Sequence, residues 1–238
     1  MAAQMLPARH HDLISIVIPT LNEASNLPQV LATIPAVASL EVIVVDGGSS
    51  DGTQAIATAW GARTVASLPG RAHQMNQGAA LAKGSVLLFL HADTRLPHGF
   101  EPIIHQTLAQ PEVVAGAFEL AIDSSRRALR WVEWGVNLRS RHFCMPYGDQ
   151  AIFIKADVFR RLGGFPDLPM MEDFELVRQL CKLGKIAIAP AQVLTSDRRW
   201  RSLGILRTTL VNQIVIAAYL LGVDPHTLAR WYCHLGKP

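Results

Sequence analysis

The chain has 238 residues and a mass of 26.0 kDa, enough for one large domain with a well-buried core. Charged residues make up 17% of it and its net charge is only +3, without a long basic run, so a nucleic-acid partner is not expected. The mean hydropathy of +0.21 indicates a thick core or an apolar surface, and three scattered cysteines without metal-ligand spacing indicate reduced thiols in a cytoplasmic protein.

The first hundred residues alternate between strands and helices. Apolar runs predict strands at 15–19, 41–46, 63–67 and 85–90, and amphipathic segments predict helices at 24–34, 51–60 and 71–83. This alternation predicts an α/β fold with a Rossmann-like, mostly parallel central sheet, flanking helices and right-handed crossovers. Asp51 is the expected N-cap of the second helix.

The second half is more mixed. Strands are predicted at 113–122, 150–154 and 185–189, the first as an edge or antiparallel strand, and helices at 126–139, 156–162 and 172–183. The sequence contains no internal repeat, low-complexity stretch or linker. We therefore expect one domain over residues 1–202, followed by a helical tail over residues 203–238.

Two of the buried strands lead directly into acidic residues. The run 41–45 ends on Asp46, and the run 85–90 is followed by His91, Ala92 and Asp93. In open α/β sheets the ligand binds beyond the carboxyl ends of the strands, so both acids are expected beside it. Two carboxylates in that position can hold a nucleoside and a metal-bound diphosphate. The residues therefore indicate an enzyme that uses a sugar nucleotide.

Four motifs follow one another on the appropriate elements. They are 15–23 (SIVIPTLNE), 44–53 (VVDGGSSDGT), 89–93 (FLHAD) and 171–173 (MED). Together they resemble the family 2 glycosyltransferases with the GT-A fold, over residues 13–200. The sequence is most similar to a bacterial subgroup in which the metal motif reads His-Ala-Asp and an Arg-Arg-Trp follows the last strand.

The resemblance implies transfer of a hexose-type sugar, with inversion, from a nucleoside diphosphate donor (UDP or GDP) to an acceptor that the motifs do not identify. The implied substrate-binding positions are Pro19, Leu21, Glu23, Asp46, Gly48, Arg71, Ala92, Arg199 and Trp200. Glu23 would reach the ribose or metal-bound water, and Asp46 the edge of the base. Arg71, on a helix with Gln74 and Asn76, would clamp a phosphate.

Several of these positions also have a structural interpretation. Asn22 and Glu23 are equally suited to capping the next helix. Gly48 fits an ordinary turn as well as a close approach to a ligand. Arg71 is equally compatible with an exposed helix surface.

The segment from His91 to Asp93 is the family's Asp-x-Asp metal motif with its first acid replaced. Mg²⁺ or Mn²⁺ on a diphosphate takes few protein ligands, so Asp93 alone can anchor it. His91 is assigned to the metal too, as a nitrogen ligand better suited to Mn²⁺. Two alternatives exist for His91. Its side chain could contact the ribose, or it could be a buried and hydrogen-bonded histidine of the strand.

Asp173 stands where the family 2 enzymes have their catalytic base, and Glu172 is assigned to catalysis beside it. Displacement at an anomeric carbon requires a carboxylate that takes the proton of the acceptor hydroxyl. Two acids that favour the start of a helix are the structural alternative. Arg199 and Trp200 resemble the end of the Gln-x-x-Arg-Trp motif of processive synthases, but Ser196 replaces the Gln, so processive polymerisation is not predicted.

Other functions fit the sequence less well. A catalytically inactive nucleotide-sugar-binding protein is the main alternative, and donor hydrolysis distinguishes it. A nucleotidyltransferase would carry a Gly-rich basic loop where Leu21 to Glu23 stand. An aspartate-nucleophile phosphatase needs an acid at position 91, and a dinucleotide oxidoreductase needs Gly-x-Gly-x-x-Gly after a strand.

The apolar segments before residue 200 are too short to cross a bilayer, and residues 1–12 have no signal-peptide core, so secretion is not expected. Residues 203–221 approach the length of a span but carry Asn212 and Gln213 at the centre. One face of this segment carries Leu206, Leu210, Ile214 and residues 217–221. One predicted role of this segment is packing on the domain or in a homodimer. The other is docking on an anionic membrane surface, at the inner face of the cell membrane, where the acceptor could be lipid-linked.

Overall fold

A mixed sheet of eight strands forms the centre of the computed structural model, which describes residues 13–235 and side chains as far as Tyr232. Some expectations lie outside this part, namely those for residues 1–12 and 236–238 and for the side chain of Cys233. The strands are β1 (Ile14–Thr20), β2 (Leu40–Asp46), β3 (Arg63–Ala66), β4 (Val86–Phe89), β5 (Thr94–Arg95), β6 (Val113–Asp123), β7 (Phe153–Lys155) and β8 (Lys185–Ser196). Their order across the sheet is β3-β2-β1-β4-β7-β6-β8-β5.

The half of the sheet formed by the first ninety residues is parallel, as predicted. β1 pairs with β2 and β4, and β2 pairs with β3. Every residue of β1 is buried, with Ile16 and Ile18 against one helical layer and Val17 against the other. Because both faces are covered, the strand needs a continuous apolar run. The carboxyl ends of β1, β2 and β4 therefore meet at one edge of the sheet.

The other half is mixed. β7 is antiparallel to β4 and β6, while β6 runs parallel to β8. The antiparallel pairing expected for β6 is confirmed, but its expected edge position is wrong, because β8 covers its other side. β8 extends to Ser196, beyond the predicted end at residue 189, because its pairing with β6 resumes after a register shift.

The strand predicted at 150–154 forms only in part. Residues Gly148–Gln150 make a 3-10 turn instead, and β7 begins at Phe153. The side chain of Gln150 explains the turn, because it is fully buried, accepts a hydrogen bond from Ser140 Oγ at 2.8 Å and donates one to the carbonyl of Phe118 at 2.9 Å.

Helices flank the sheet on both faces. They are α1 (Leu27–Leu31), α2 (Thr53–Trp60), α3 (Arg71–Leu81), α4 (Phe100–Leu108), α5 (Arg127–Phe143), α6 (Ala156–Leu162), α7 (Glu172–Leu180), α8 (Arg198–Leu203), α9 (Ile205–Leu220) and α10 (Pro225–Leu235). The sequence assigns no element to the segments that form α4 and α8. α1 is shorter than predicted, because the chain turns through residues 24–26 before it.

Asp51 is not the N-cap of α2. Gly52 is the N-cap, in the left-handed region at φ +89°. Asp51 lies one residue earlier, where its Oδ1 accepts the N–H of Thr53 at 3.1 Å and its Oδ2 the N–H of Ala24 at 3.0 Å. The carboxylate thus ties the loop after β1 to the start of α2.

The tail packs on its own domain through one face. Thr208, Val211 and Val215 of α9 are buried, and Val211 and Val215 pack with Leu228 of α10 against Met170, Met171 and Phe174. The opposite face of α9 stays exposed, with relative exposures of 46% to 87%; its large apolar residues are Leu206, Leu210, Ile214, Leu220 and the adjoining Leu221. Within the described part of the chain, no helix has both the length and the apolarity needed to span a membrane.

Candidate active site

Asp173 lies in the first turn of α7, beside the turn that carries Gly148. Its Oδ2 accepts the N–H of Gly148 at 2.7 Å, and its Oδ1 accepts the N–H of Phe174 at 2.7 Å. A Cβ on Gly148 would lie 3.1 Å from this Oδ2 and 2.9 Å from Nε2 of His91, so the close approach favours glycine. Two backbone donors thus orient the carboxylate, and its oxygens keep lone pairs for a further donor.

The imidazole of His91 borders the same turn. Its described neighbours include Gly148, Asp173 and Arg71. Burial and the charge of Arg71 lower the pKa of His91 to about 4, against the opposite effect of Asp173. The structure therefore places a neutral histidine beside the expected base, and the metal role expected for His91 stays a prediction.

Glu172 is joined to Arg71 across the starts of α7 and α3. Its side chain is 2% exposed, and its Oε1 lies 2.8 Å from Nε of Arg71. Burial raises the pKa of Glu172, and Asp173 adds to this effect while Arg71 opposes it. Its Oε1 is thus engaged in holding Arg71, which favours a positioning role for Glu172, and the catalytic role expected for it stays a prediction.

Asp93 shares Arg198 with Glu23. Nη2 of Arg198 lies 2.9 Å from Glu23 Oε1 and 3.7 Å from Asp93 Oδ2. Burial and the charge of Glu23 raise the pKa of Asp93, and Arg198 opposes them. Glu23 also accepts a hydrogen bond from Nδ2 of Asn26 at 2.6 Å. Arg198 therefore neutralises both acids, although it is absent from the positions that the sequence assigns to the site.

The residues around Asp93 fit a divalent cation that brings its own ligands. Carboxylate oxygens are the ligands that Mg²⁺ and Mn²⁺ accept, and the side chain of Asp93 is 26% exposed. The part of the chain that the structure describes holds no group of three ligating side chains. Most ligands of such a cation would therefore come from a diphosphate and water.

Asp46 shapes the loop after β2 and is completely buried. Its Oδ2 accepts hydrogen bonds from the N–H groups of Gly48 and Ser49 and from Gln54 Nε2, and its Oδ1 accepts one from Thr20 Oγ1, all at 2.7–3.1 Å. Burial alone would raise the pKa of Asp46, but the hydrogen bonds from Ser49, Gln54 and Gly48 lower it. The carboxylate of Asp46 is therefore not exposed for the expected contact with the edge of a base.

Some of the other predicted substrate positions are buried and others are exposed. Pro19 and Ala92 are buried, the first of them inside β1. Leu21 is 47% exposed and Gly48 turns the chain at φ +98°. Only the exposed positions at this edge can meet a ligand directly.

The polar side chains of α3 that follow Arg71 tie the fold together. Nε2 of Gln74 donates to the carbonyls of Thr20 and Val45, both at 2.8 Å. Asn76 exchanges two hydrogen bonds with the backbone of Phe165, both at 2.8 Å. Neither side chain is directed at the crevice, contrary to what the sequence suggests.

A cavity of about 590 Å³ connects these groups. Its lining includes Arg71, His91, Asp93, Asp149, Asp173, Arg198, Arg199 and Trp200. The tail forms one wall with Asn212, Val215 and Tyr232, and the guanidinium of Arg199 lies over the Tyr232 ring at 4.2 Å. The sequence does not indicate that the tail borders the site, because nothing in its pattern specifies which surface it covers.

Asp149 is the acid of the cavity that the sequence does not single out. Its Oδ1 is buried and has no hydrogen-bond partner within the described residues. Burial raises the pKa of Asp149 to about 6, although Arg139 opposes the effect. The only signal in the sequence is an acid after a glycine, which is equally typical of an ordinary turn.

A family model described as Glycosyl transferase family 2 matches residues 15–159. The chain is 32% identical over 129 residues to glucosyl-3-phosphoglycerate synthase of Mycobacterium tuberculosis, a match that covers 49% of this chain and 39% of that relative. The chain thus spans about two fifths of the length of the curated relative that it matches.

Solved structures share the architecture. One is the mannosyltransferase PcManGT from Pyrobaculum calidifontis in complex with GDP-Man and Mn²⁺, with a TM-score of 0.64 and 23% identity, covering 94% of this chain and 70% of that one. Another is glucosyl-3-phosphoglycerate synthase from Mycobacterium tuberculosis in complex with Mg²⁺ and UDP, with a TM-score of 0.56 and 24% identity, covering 78% and 70%. At these identities the likeness concerns the fold.

Proposed function

The chain belongs to glycosyl transferase family 2 and has the GT-A fold, and we propose that it moves a sugar from a nucleoside diphosphate donor to an acceptor hydroxyl with inversion at the anomeric carbon. The observation that supports this best is a single cavity lined by both Asp173 and Asp93, with Asp173 oriented by Gly148. In this proposal residues 1–202 form the GT-A domain, and residues 203–238 form a tail that helps to enclose the site.

Asp173 is the general base of the proposed reaction. The acceptor oxygen attacks the anomeric carbon, its proton passes to Asp173, and the bond from that carbon to the diphosphate oxygen breaks. The electron pair of the broken bond leaves with the diphosphate. Because attack and departure occur on opposite faces of the carbon, its configuration inverts.

The diphosphate belongs at the Asp93 side of the cavity. A divalent metal ion, Mn²⁺ or Mg²⁺, held there by Asp93 would neutralise the charge that develops on the leaving group. Arg198 is half-exposed beside Asp93 and can contribute further positive charge. Arg71 also lines the cavity, and Glu172 fixes the direction of its guanidinium. UDP and GDP both stay candidates for the nucleotide.

Replacing the proposed base tests the mechanism. Asp173→Asn keeps the shape and should lower turnover about 10²–10⁴-fold while leaving donor affinity nearly unchanged. Asp167→Asn, in the exposed loop before α7, is the matched control. Transfer or hydrolysis of UDP- and GDP-sugars would be measured with each protein. An active Asp173→Asn enzyme would remove the assignment, and a wild type that binds donors without cleaving them would indicate the inactive binding protein instead.

The acceptor side of the cavity is more apolar than the donor side. Met170, Met171, Val215, Ile216 and Ala229 line it near Asp173. A hydroxyl compound with an apolar portion fits such a wall better than a small, highly charged acceptor. We therefore favour an amphiphilic, lipid-linked acceptor.

The exposed face of α9 supports peripheral attachment to an anionic membrane, at the inner face of the cell membrane. The helix α5 contacts α9 and also carries exposed residues of this kind: Trp131 and Trp134 are 75% and 60% exposed, and Arg127 and Arg130 are exposed too. Aromatic and aliphatic side chains beside arginines suit a bilayer surface with negative headgroups. The chemistry favours this partner over a second copy of the chain, which would carry the same positive charge.

Sedimentation with liposomes tests the attachment. Wild-type protein should sediment with vesicles that contain anionic lipid and much less with neutral ones, because both charge and apolar burial contribute. Leu206→Glu combined with Leu210→Glu should abolish sedimentation, whereas Leu183→Glu, at a leucine of the α7–β8 turn that is 51% exposed, should not. Protein that stays in the supernatant at low salt contradicts the attachment, and a concentration-dependent dimer lost in the double variant would assign the face to a homodimer.

A further inference from the structure

Asp149 occupies a fixed position between two structurally constrained neighbours. On one side, Gly148 donates its N–H to Asp173 at 2.7 Å. On the other side, Gln150 is fully buried and is held by Ser140 and by the carbonyl of Phe118. The backbone of the 3-10 turn is therefore set on both sides of Asp149, and its side chain lines the cavity.

The carboxylate of Asp149 has an acceptor oxygen that no described group satisfies. Its Oδ1 is buried and unpartnered, and the described residues form no ion pair with it. Arg139 is the cation with the largest opposing effect on the pKa of Asp149. Its guanidinium is stacked over the Tyr147 ring at 3.5 Å and its Nε donates to the carbonyl of Met145, and its buried Nη2 forms no hydrogen bond with Asp149 or any other described residue. Buried carboxylate oxygens without a donor are costly and rare, so this oxygen needs an external hydrogen-bond donor.

The position of Asp149 relative to the two key acids indicates which donor. Asp173 and Asp93 both raise the pKa of Asp149, so its carboxylate lies within electrostatic range of each. In the displacement proposed above, the diphosphate lies at Asp93 and the acceptor hydroxyl at Asp173. The ring of the transferred sugar must lie between the diphosphate and the acceptor hydroxyl, in the cavity that Asp149 lines.

We propose that Asp149 recognises the transferred sugar, with its Oδ1 accepting a hydrogen bond from one hydroxyl of the sugar ring. A hydroxyl satisfies the unpaired oxygen because it donates its proton, whereas a phosphate oxygen has no proton to donate and would be repelled. The inference rests on the proposed sugar transfer and makes Asp149 a determinant of donor specificity.

Paired titrations separate recognition of the sugar from recognition of the nucleotide. UDP and UDP-glucose, and GDP and GDP-mannose, would be titrated calorimetrically with Mn²⁺ into wild type, Asp149→Asn, Asp149→Ala and the control Asp167→Asn. For the pair that binds, Asp149→Asn should leave the Kd of the nucleotide within about two-fold and weaken the nucleotide sugar about ten-fold, because a neutral amide oxygen replaces the charged acceptor and the hydrogen bond to it is weaker. Asp149→Ala should weaken it at least as much.

Mono-deoxy analogues of the sugar that binds provide a test in the wild-type protein. Removal of one hydroxyl should weaken wild-type binding about ten-fold and have little further effect in Asp149→Ala, since both changes remove the same bond. Three outcomes would each overturn the inference. The variant could lose equal affinity for the nucleotide and the nucleotide sugar, or the losses from the deoxy analogue and the variant could add. The third is a variant that changes only the KM of the acceptor. Wild type that binds neither nucleotide pair would instead contradict the proposed function itself.

Discussion

Replacing Asp149 by asparagine should stabilise the folded protein while impairing its function. Burial raises the pKa of Asp149 from 3.8 to about 6, so the folded protein holds this proton more tightly than the unfolded chain does. The unfolded chain therefore ionises first as the pH rises, and the ionised carboxylate costs folding free energy above its unfolded pKa. A neutral amide of the same shape avoids that cost.

The size of the effect follows from the two pKa values. Each tenfold change in proton affinity is worth about 1.4 kcal/mol, so a rise from 3.8 to about 6 corresponds to about 3 kcal/mol at neutral pH. Most of this cost, about 2 kcal/mol, develops between about pH 4.5 and about pH 7.5. Partial access of the side chain to solvent would reduce it to about 1–2 kcal/mol.

Urea denaturation of wild type and Asp149→Asn across this pH range measures the difference. The stability gained by the variant should grow with pH, whereas Asp167→Asn should differ from wild type by an amount that does not depend on pH. His91, whose pKa falls from 6.5 to about 4 on folding, adds the same pH dependence to both proteins and so largely cancels in the comparison. A gain that is constant with pH, or that shrinks as the pH rises, would refute the reasoning.

Three further changes have defined outcomes. Asp93→Ala should bind nucleotide equally with and without a chelator, whereas the wild type should lose at least about ten-fold in affinity when the metal is removed. Gly148→Ala should lower turnover about 10²-fold, because the new methyl group displaces His91 and Asp173; wild-type turnover would contradict this. Asp46→Asn should destabilise the fold by about 2–4 kcal/mol at neutral pH, as measured in urea. Because the pKa of Asp46 is lowered in the fold, this difference should fade as the pH falls through that lowered value, and a difference that persists there would contradict the charge argument.

The parallel half of the fold could be predicted because its signals are local. β1 and β2 are continuous apolar runs that end at turns, and such runs are typical of strands covered on both faces. The later strands depend on distant partners instead. β8 continues past Pro190 because β6 lies beside it, and the start of β7 is delayed by the buried side chain of Gln150.

The residues of the candidate site show the same difference between local and distant signals. Asp93 and Asp173 could be singled out because each follows a recognisable motif. The partners that define their surroundings could not, since they come from distant parts of the chain. Arg198 reaches Glu23 across 175 residues of sequence, and no local pattern reports such a contact. Asp149 has no such motif, since an acid after a glycine is equally typical of an ordinary turn.

The cavity brings together acids that repel one another, and the groups that counter this repulsion come from separate parts of the fold. Asp93, Asp149 and Asp173 line the same space, so each ionised carboxylate raises the cost of ionising the next. Arg71 from α3 and Arg198 after β8 offset part of that cost, and the backbone N–H of Gly148 offsets another part at Asp173. Oδ1 of Asp149 has no hydrogen-bond partner among the described residues, and a substrate hydroxyl would supply the missing donor. The proposed chemistry thus depends on the sheet edge, the turn and the tail being assembled together, rather than on any one motif.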